Sequence, residues 1–181
     1  MRQLQRGLVE YAHDVLVSLW LPYDEIVHPD KFKDVGLLES AIGRPFQTYG
    51  GEDLYPSLPS KAAALFHSLT CNHCFSNGNK RTAIISLHFF LLDNERLLVT
   101  SNADLYKIAN ATAEANRNER KSEEVMKELT EFIEEETIEI ADLTNPQVLK
   151  ALGYERMNKL MDRIEWTQQM MATIIDSPEG I

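Results

Sequence analysis

From Thr82 to Leu92 the chain runs Thr-Ala-Ile-Ile-Ser-Leu-His-Phe-Phe-Leu-Leu with no glycine or proline, directly behind the turn Asn77-Gly78. No other stretch limits the fold as much. A helix that is apolar on all sides must be covered on all sides, so it predicts a buried central helix rather than a surface one. The first N–H groups and positive dipole end of that helix then face the polar loop before it. An anion can bind there with little reorganisation.

The loop itself, His73 to Arg81, reads His-Cys-Phe-Ser-Asn-Gly-Asn-Lys-Arg. Gly78 permits close backbone approach, Asn79 offers amide donors, Lys80 supplies a point charge and Arg81 a planar fork suited to phosphate oxygens. His73 stands at the loop entrance. Imidazole titrates near neutral pH, so a histidine beside a bound phosphate can take the proton of an attacking hydroxyl. Taken singly, Asn-Gly before a helix is an ordinary turn and a histidine ending a helix an ordinary cap residue. The combination is what points to phosphate chemistry.

These residues resemble the Fic/Doc signature, His-x-Phe-x-Asp/Glu-Gly-Asn-Gly/Lys-Arg, at His73, Phe75, Gly78, Asn79 and Arg81. Lys80-Arg81-Thr82-Ala83 is similar to the death-on-curing (Doc) branch. Adenylylating Fic enzymes carry glycine before the arginine and a second arginine three residues later; here Lys80 and Ile84 occupy those places. The resemblance therefore implies a nucleotide-dependent transferase that moves the terminal phosphate of ATP or another NTP onto a protein hydroxyl. It implies His73 as base, Gly78, Asn79, Lys80 and Arg81 as phosphate-binding residues, and Phe75 as support beneath the loop. Asn77 stands where the family has its metal-binding acid; an amide oxygen can ligate Mg²⁺ but brings no charge. AMP transfer with the same base, or a catalytically idle Fic-fold binding module, are the alternative readings.

The resemblance extends upstream. Gly36 to Pro45 reads as a short helix ended by glycine and proline. Phe46 to Leu58, with Tyr49-Gly50-Gly51 and Tyr55-Pro56, suits a glycine-turned hairpin flap, which in Fic proteins holds a segment of the target by main-chain pairing. A plain surface loop explains the same composition. The implied target is elongation factor Tu, and the implied restraint is a separate antitoxin. The family's inhibitory helix motif is missing: Glu179 has Ile175 four residues before it and Pro178 beside it.

The expected architecture is mainly α, a Fic/Doc helical bundle with a small β-hairpin flap. Helices are predicted over 2–20, 35–43, 59–72, 79–93, 102–116, 122–136, 146–152 and 154–175. Ser101 and Ser122 are candidate N-caps, and Asn145-Pro146 starts a helix with proline at its first position. Leu97 to Thr100 is a short strand that could pair with the flap. Residues 1–140 form the Fic/Doc domain. In the extension 141–181, Met157, Leu160, Met161, Ile164, Met171, Ile174 and Ile175 trace an apolar stripe that either packs on the domain or forms a partner or homo-oligomer surface.

The remaining signals are bland. His67 does not share a face with His73 six residues on, so a metal pair is not expected. His88 reads as a core or subunit-contact residue, and His13 and His28 are given no chemistry. Cys71 and Cys74 form a Cys-x-x-Cys with no second pair, which reads as two reduced thiols in a cytoplasmic protein. A net charge of −10 speaks against nucleic acid as partner, because such binding needs clustered cations. No apolar run reaches membrane-spanning length, and the first residues lack a signal-like apolar region.

Overall fold

The computed structural model describes residues 1–21 and 34–175. His28, Pro178 and Glu179 lie outside the described residues. The centre is a helix pair. Helix α5 (Asn79–Asp93) buries every residue from Arg81 to Leu91, and α4 (Leu58–Cys71) buries Pro59 and all of Lys61 to Thr70. The alanines Ala62, Ala63 and Ala64 are fully covered, which lets neighbouring backbones come close. Ser57 and Ser60 form a reciprocal capping box that fixes where α4 begins.

Around this pair lie α1 (Arg6–Tyr11), a π turn (Ala12–Leu16), α2 (Val17–Trp20), α3 (Val35–Gly43), α6 (Asn102–Arg117) and α7 (Ser122–Glu135). Helix α3 starts on Asp34, whose carboxylate accepts from the N–H groups of Gly36 at 2.7 Å and Leu37 at 3.2 Å. The backbone N–H of Asp34 donates to the Cys74 carbonyl at 3.3 Å, tying that start to the polar loop. Ser101 caps α6 by accepting from Asp104 N. Ser122 does not cap α7: Lys121 holds the cap position without a side-chain bond, and Glu123 and Glu124 meet the positive end of the helix instead.

The flap exists as a hairpin of β1 (Thr48–Tyr49) and β2 (Glu52–Asp53), with Gly50 and Gly51 both at positive φ, as a two-residue primed turn requires. Its base is held by Lys61, whose ammonium donates to Asp53 Oδ2 at 2.8 Å and the Pro45 carbonyl at 3.0 Å. Strand β3 (Arg96–Leu98) does not pair with this flap. It pairs antiparallel with β4 (Thr137–Glu139), in register Leu97 opposite Ile138. The three residues of β4 follow an acidic helix directly, so their alternation is too short to stand out.

Helix α8 (Pro146–Ile175) breaks at Gly153, where φ is 74° and ψ 172°. Its first part closes a small cluster of Leu97, Val99, Ile138 and Leu160 with Val148, Leu149 and Leu152, while Met170 and Trp166 join the main core. Arg163 fastens the junction by donating to Asn102 Oδ1 and the Thr100 carbonyl, each at 2.7 Å. The stripe is thus divided: Leu160 and Ile164 face the body, whereas Met161, Met171 and Ile175 are exposed. No helix among the described residues is long and apolar enough to cross a membrane.

Candidate active site

The loop between α4 and α5 opens with a residue in an uncommon conformation. Asn72 ends α4, and His73 follows with φ 51°, the left-handed region that glycine or asparagine usually takes at this place. Holding a histidine there costs about 1–2 kcal/mol, and it leaves the imidazole exposed at the rim while the next two residues turn inward. Cys74 and Phe75 are buried. Asn79 locks this inward turn. Its Oδ1 accepts from Phe75 N at 2.9 Å and its Nδ2 donates to Phe75 O at 2.9 Å.

Gly78, at φ 75°, is the N-cap of α5, and the first helical bond runs from Thr82 N to Gly78 O at 2.9 Å. The N–H groups of Asn79 and Lys80 therefore lie ahead of the helical ladder, at its positive end. Both residues line a cleft of about 850 Å³. Thr70 and Cys71 of α4, Ser76 to Arg81 of the loop and α5, and Ala113, Asn116 and Arg117 of α6 line it, with His73 at its edge. Among the described residues, three cations and no carboxylate belong to that lining, although the whole chain carries −10.

The cations are held differently. Arg81 is buried, with Nη1 donating to the Leu21 carbonyl at 3.5 Å. Lys80 donates to Asn110 Oδ1 at 2.6 Å and lies 5.5 Å from the centre of the Tyr106 ring, so α6 aims its ammonium. Arg117, in the last turn of α6, is exposed. Ile84 is fully buried in the core, so the opposite end of the first helical turn contributes no charge to the cleft.

All the residues singled out in the sequence, His73, Phe75, Asn77, Gly78, Asn79, Lys80 and Arg81, come together here, but not all in the expected manner. The side-chain amide of Asn79 is committed to Phe75, so this residue shapes the loop and offers an anion its backbone N–H. Asn77 is half-buried at the cleft, and the described lining gives Mg²⁺ no carboxylate. No cluster of three or more His, Cys, Asp or Glu suited to a metal occurs among the described residues. The described residues do not fit a protein-held Mg²⁺, which demands near-octahedral oxygen ligation and favours anionic donors.

Other histidines and both cysteines find structural roles. Arg44 donates from Nη1 to Nδ1 of His67 at 3.0 Å, and burial together with that guanidinium pushes the His67 pKa down to about 4. His88 stands edge-on to Trp166 at 4.9 Å, and its Nε2 meets Thr167 Oγ1 at 3.0 Å. Because the Thr167 hydroxyl donates to the Arg163 carbonyl, His88 donates to Thr167 from Nε2 and is neutral. Burial, then Arg163, holds its pKa well below the ordinary value. Cys71 and Cys74 are free thiols, each raised to about 11 by burial. That removes thiolate character at neutral pH.

Sequence reasoning missed three contributors. His13 stacks on Phe75 from the π turn, and Asn116 and Arg117 form the far wall of the cleft. Their signals are faint: His13 lies 64 residues from Asn77, whose carbonyl it meets, and Arg117 sits at the end of a helix with no motif of its own.

Residues 3–91 match the sequence model of the Fic/DOC family. Toxin Doc from Mycolicibacterium smegmatis (strain ATCC 700084 / mc(2)155) is 51% identical over 61 residues, which cover 34% of this chain and 47% of that protein. The chain thus spans about half the length of the curated relative it matches. No solved structure matches it significantly. Residues 3–91, which carry the α4–loop–α5 unit and most of the cleft lining, thus match the Fic/DOC family, and the similarity to Toxin Doc lies on its death-on-curing side.

Proposed function

We propose that the cleft takes a nucleoside triphosphate and that its γ phosphate passes to a hydroxyl of a target protein. The observation that carries this reading is an exposed histidine at the rim of a cleft lined by Lys80, Arg81 and Arg117 and floored by the start of a buried helix. His73 accepts the hydroxyl proton as that oxygen bonds to the γ phosphorus; the bridging P–O bond breaks and the nucleoside diphosphate leaves with the electron pair. Lys80, Arg81 and the α5 N–H groups balance the charge gathered on the phosphate oxygens. No step runs through a metal.

Lys80 beside the loop and Ile84 in the core favour γ over α transfer, since positive charge is concentrated at the start of the helix and withdrawn one turn on. The name of the relative, Toxin Doc, supports the coarser reading of a toxin; restraint by a separate antitoxin is part of the same proposal. The test is incubation of the purified protein with ATP labelled at the α or the γ phosphate, using elongation factor Tu and a host lysate as acceptors. Label from γ alone on a protein is the expected result. Label from α alone would replace the reading by AMP transfer, and label from neither would leave a binding module.

A further inference from the structure

His13 belongs to no motif of the loop, yet it touches that loop twice. Its ring is 1% exposed and lies flat on Phe75, with centroids 3.9 Å apart and planes 7° from parallel. Nε2 meets the backbone carbonyl of Asn77 at 3.3 Å, and Nδ1 meets Asp14 Oδ1 at 2.6 Å. Both partners are acceptors: the carboxylate beside the ring holds one nitrogen, and the other is turned to the loop carbonyl.

The helix is deformed where this happens. Ala12–Leu16 forms a π turn between two α-helical pieces, and π turns of this kind widen a helix by a residue and gather at functional sites. Here the widening brings Ala12 and His13, neighbours in sequence, both into the interior. A regular helix with Val9, Ala12 and Leu16 inward would carry the next residue toward its flank.

We propose that His13 is a positioning residue for the transfer reaction, fixing the loop 75–78 by stacking on Phe75 and donating to the Asn77 carbonyl. That carbonyl immediately precedes Gly78, the cap from which the N–H groups of Asn79 and Lys80 are aimed. Asn79 secures Phe75 from the helix side, and His13 secures it from the other. Between them the loop is held at Phe75 and at the Asn77 carbonyl. Asp14 sets the ring in place through Nδ1.

The role in transfer rests on the function proposed above; the ordering of the loop does not. Two variants separate the donor from the ring. In His13→Gln the amide nitrogen reaches about where Nε2 stands, whereas in His13→Asn it stops near Nδ1, and both lose the stack. Hydrogen–deuterium exchange of residues 74–79 is expected to be about tenfold faster in His13→Asn than in His13→Gln, with α4 and α7 alike in the two, because one net hydrogen bond is at stake. In the phosphate-transfer assay, kcat should fall further for His13→Asn while KM for ATP stays within about threefold. Equal loop exchange in the two variants, or acceleration spread evenly over the whole chain, would overturn the proposal. If the wild-type protein transfers no label, the function fails on that result alone and the exchange comparison still decides what His13 does.

Discussion

Asn79 and Arg117 show how far a residue's type is from its job. An asparagine at the start of a phosphate-binding helix reads as a donor to the ligand, yet its side chain is closed on Phe75 at both ends. An arginine at the end of α6 reads as helix-terminal decoration, yet it stands across the cleft from the loop. Burial decides their relative weights. A buried guanidinium facing a phosphate is desolvated and charge-assisted, so Arg81→Ala should weaken ATP binding by about 1.5–3 kcal/mol. The exposed Arg117 is screened, and Arg117→Ala should cost about 1 kcal/mol or less. Isothermal titration with both variants checks the order; equal losses would mean that the two cations share one anion site.

At the scale of elements, the sequence located what is set by local rules. The bounds of α3 and α5, the cap at Ser101 and the break at Gly153 all follow from apolar periodicity, capping chemistry and glycine. It did not locate what depends on distant partners: β3 pairs with β4 some 41 residues on, and the π turn answers to a loop 64 residues away. Two neutral histidines between the elements give a further consequence. His67, bonded by Arg44 of the turn after α3, and His88, packed between α5 and α8, both have folded pKa values below the unfolded value of about 6.5. Below that pH the unfolded chain takes up protons that the folded chain refuses. Stability is therefore complete above about pH 6.5 and falls as the pH drops towards 4, by up to about 1.4 kcal/mol per pH unit for each histidine. Urea melts between pH 5 and 7 should show this slope, and His67→Gln should flatten it.

The whole molecule is acidic, yet three of its cations line one hollow. A chain with a net charge of −10 has little general attraction for phosphates, so the concentration of Lys80, Arg81 and Arg117 around the start of α5 is a local device. The loop that forms it was legible because its residues are contiguous; the walls were not, because α4 and α6 supply them from separate parts of the chain. The central claim is that this cleft binds nucleotide while His73, exposed at its rim, carries the proton transfer. The most direct test is His73→Ala, followed by both ATP titration and single-turnover transfer of the γ label. Transfer should fall by about 10²–10⁴-fold with ATP affinity unchanged within about threefold, since the imidazole acts on the hydroxyl and not on the bound triphosphate. Transfer at the wild-type rate in His73→Ala would contradict the account.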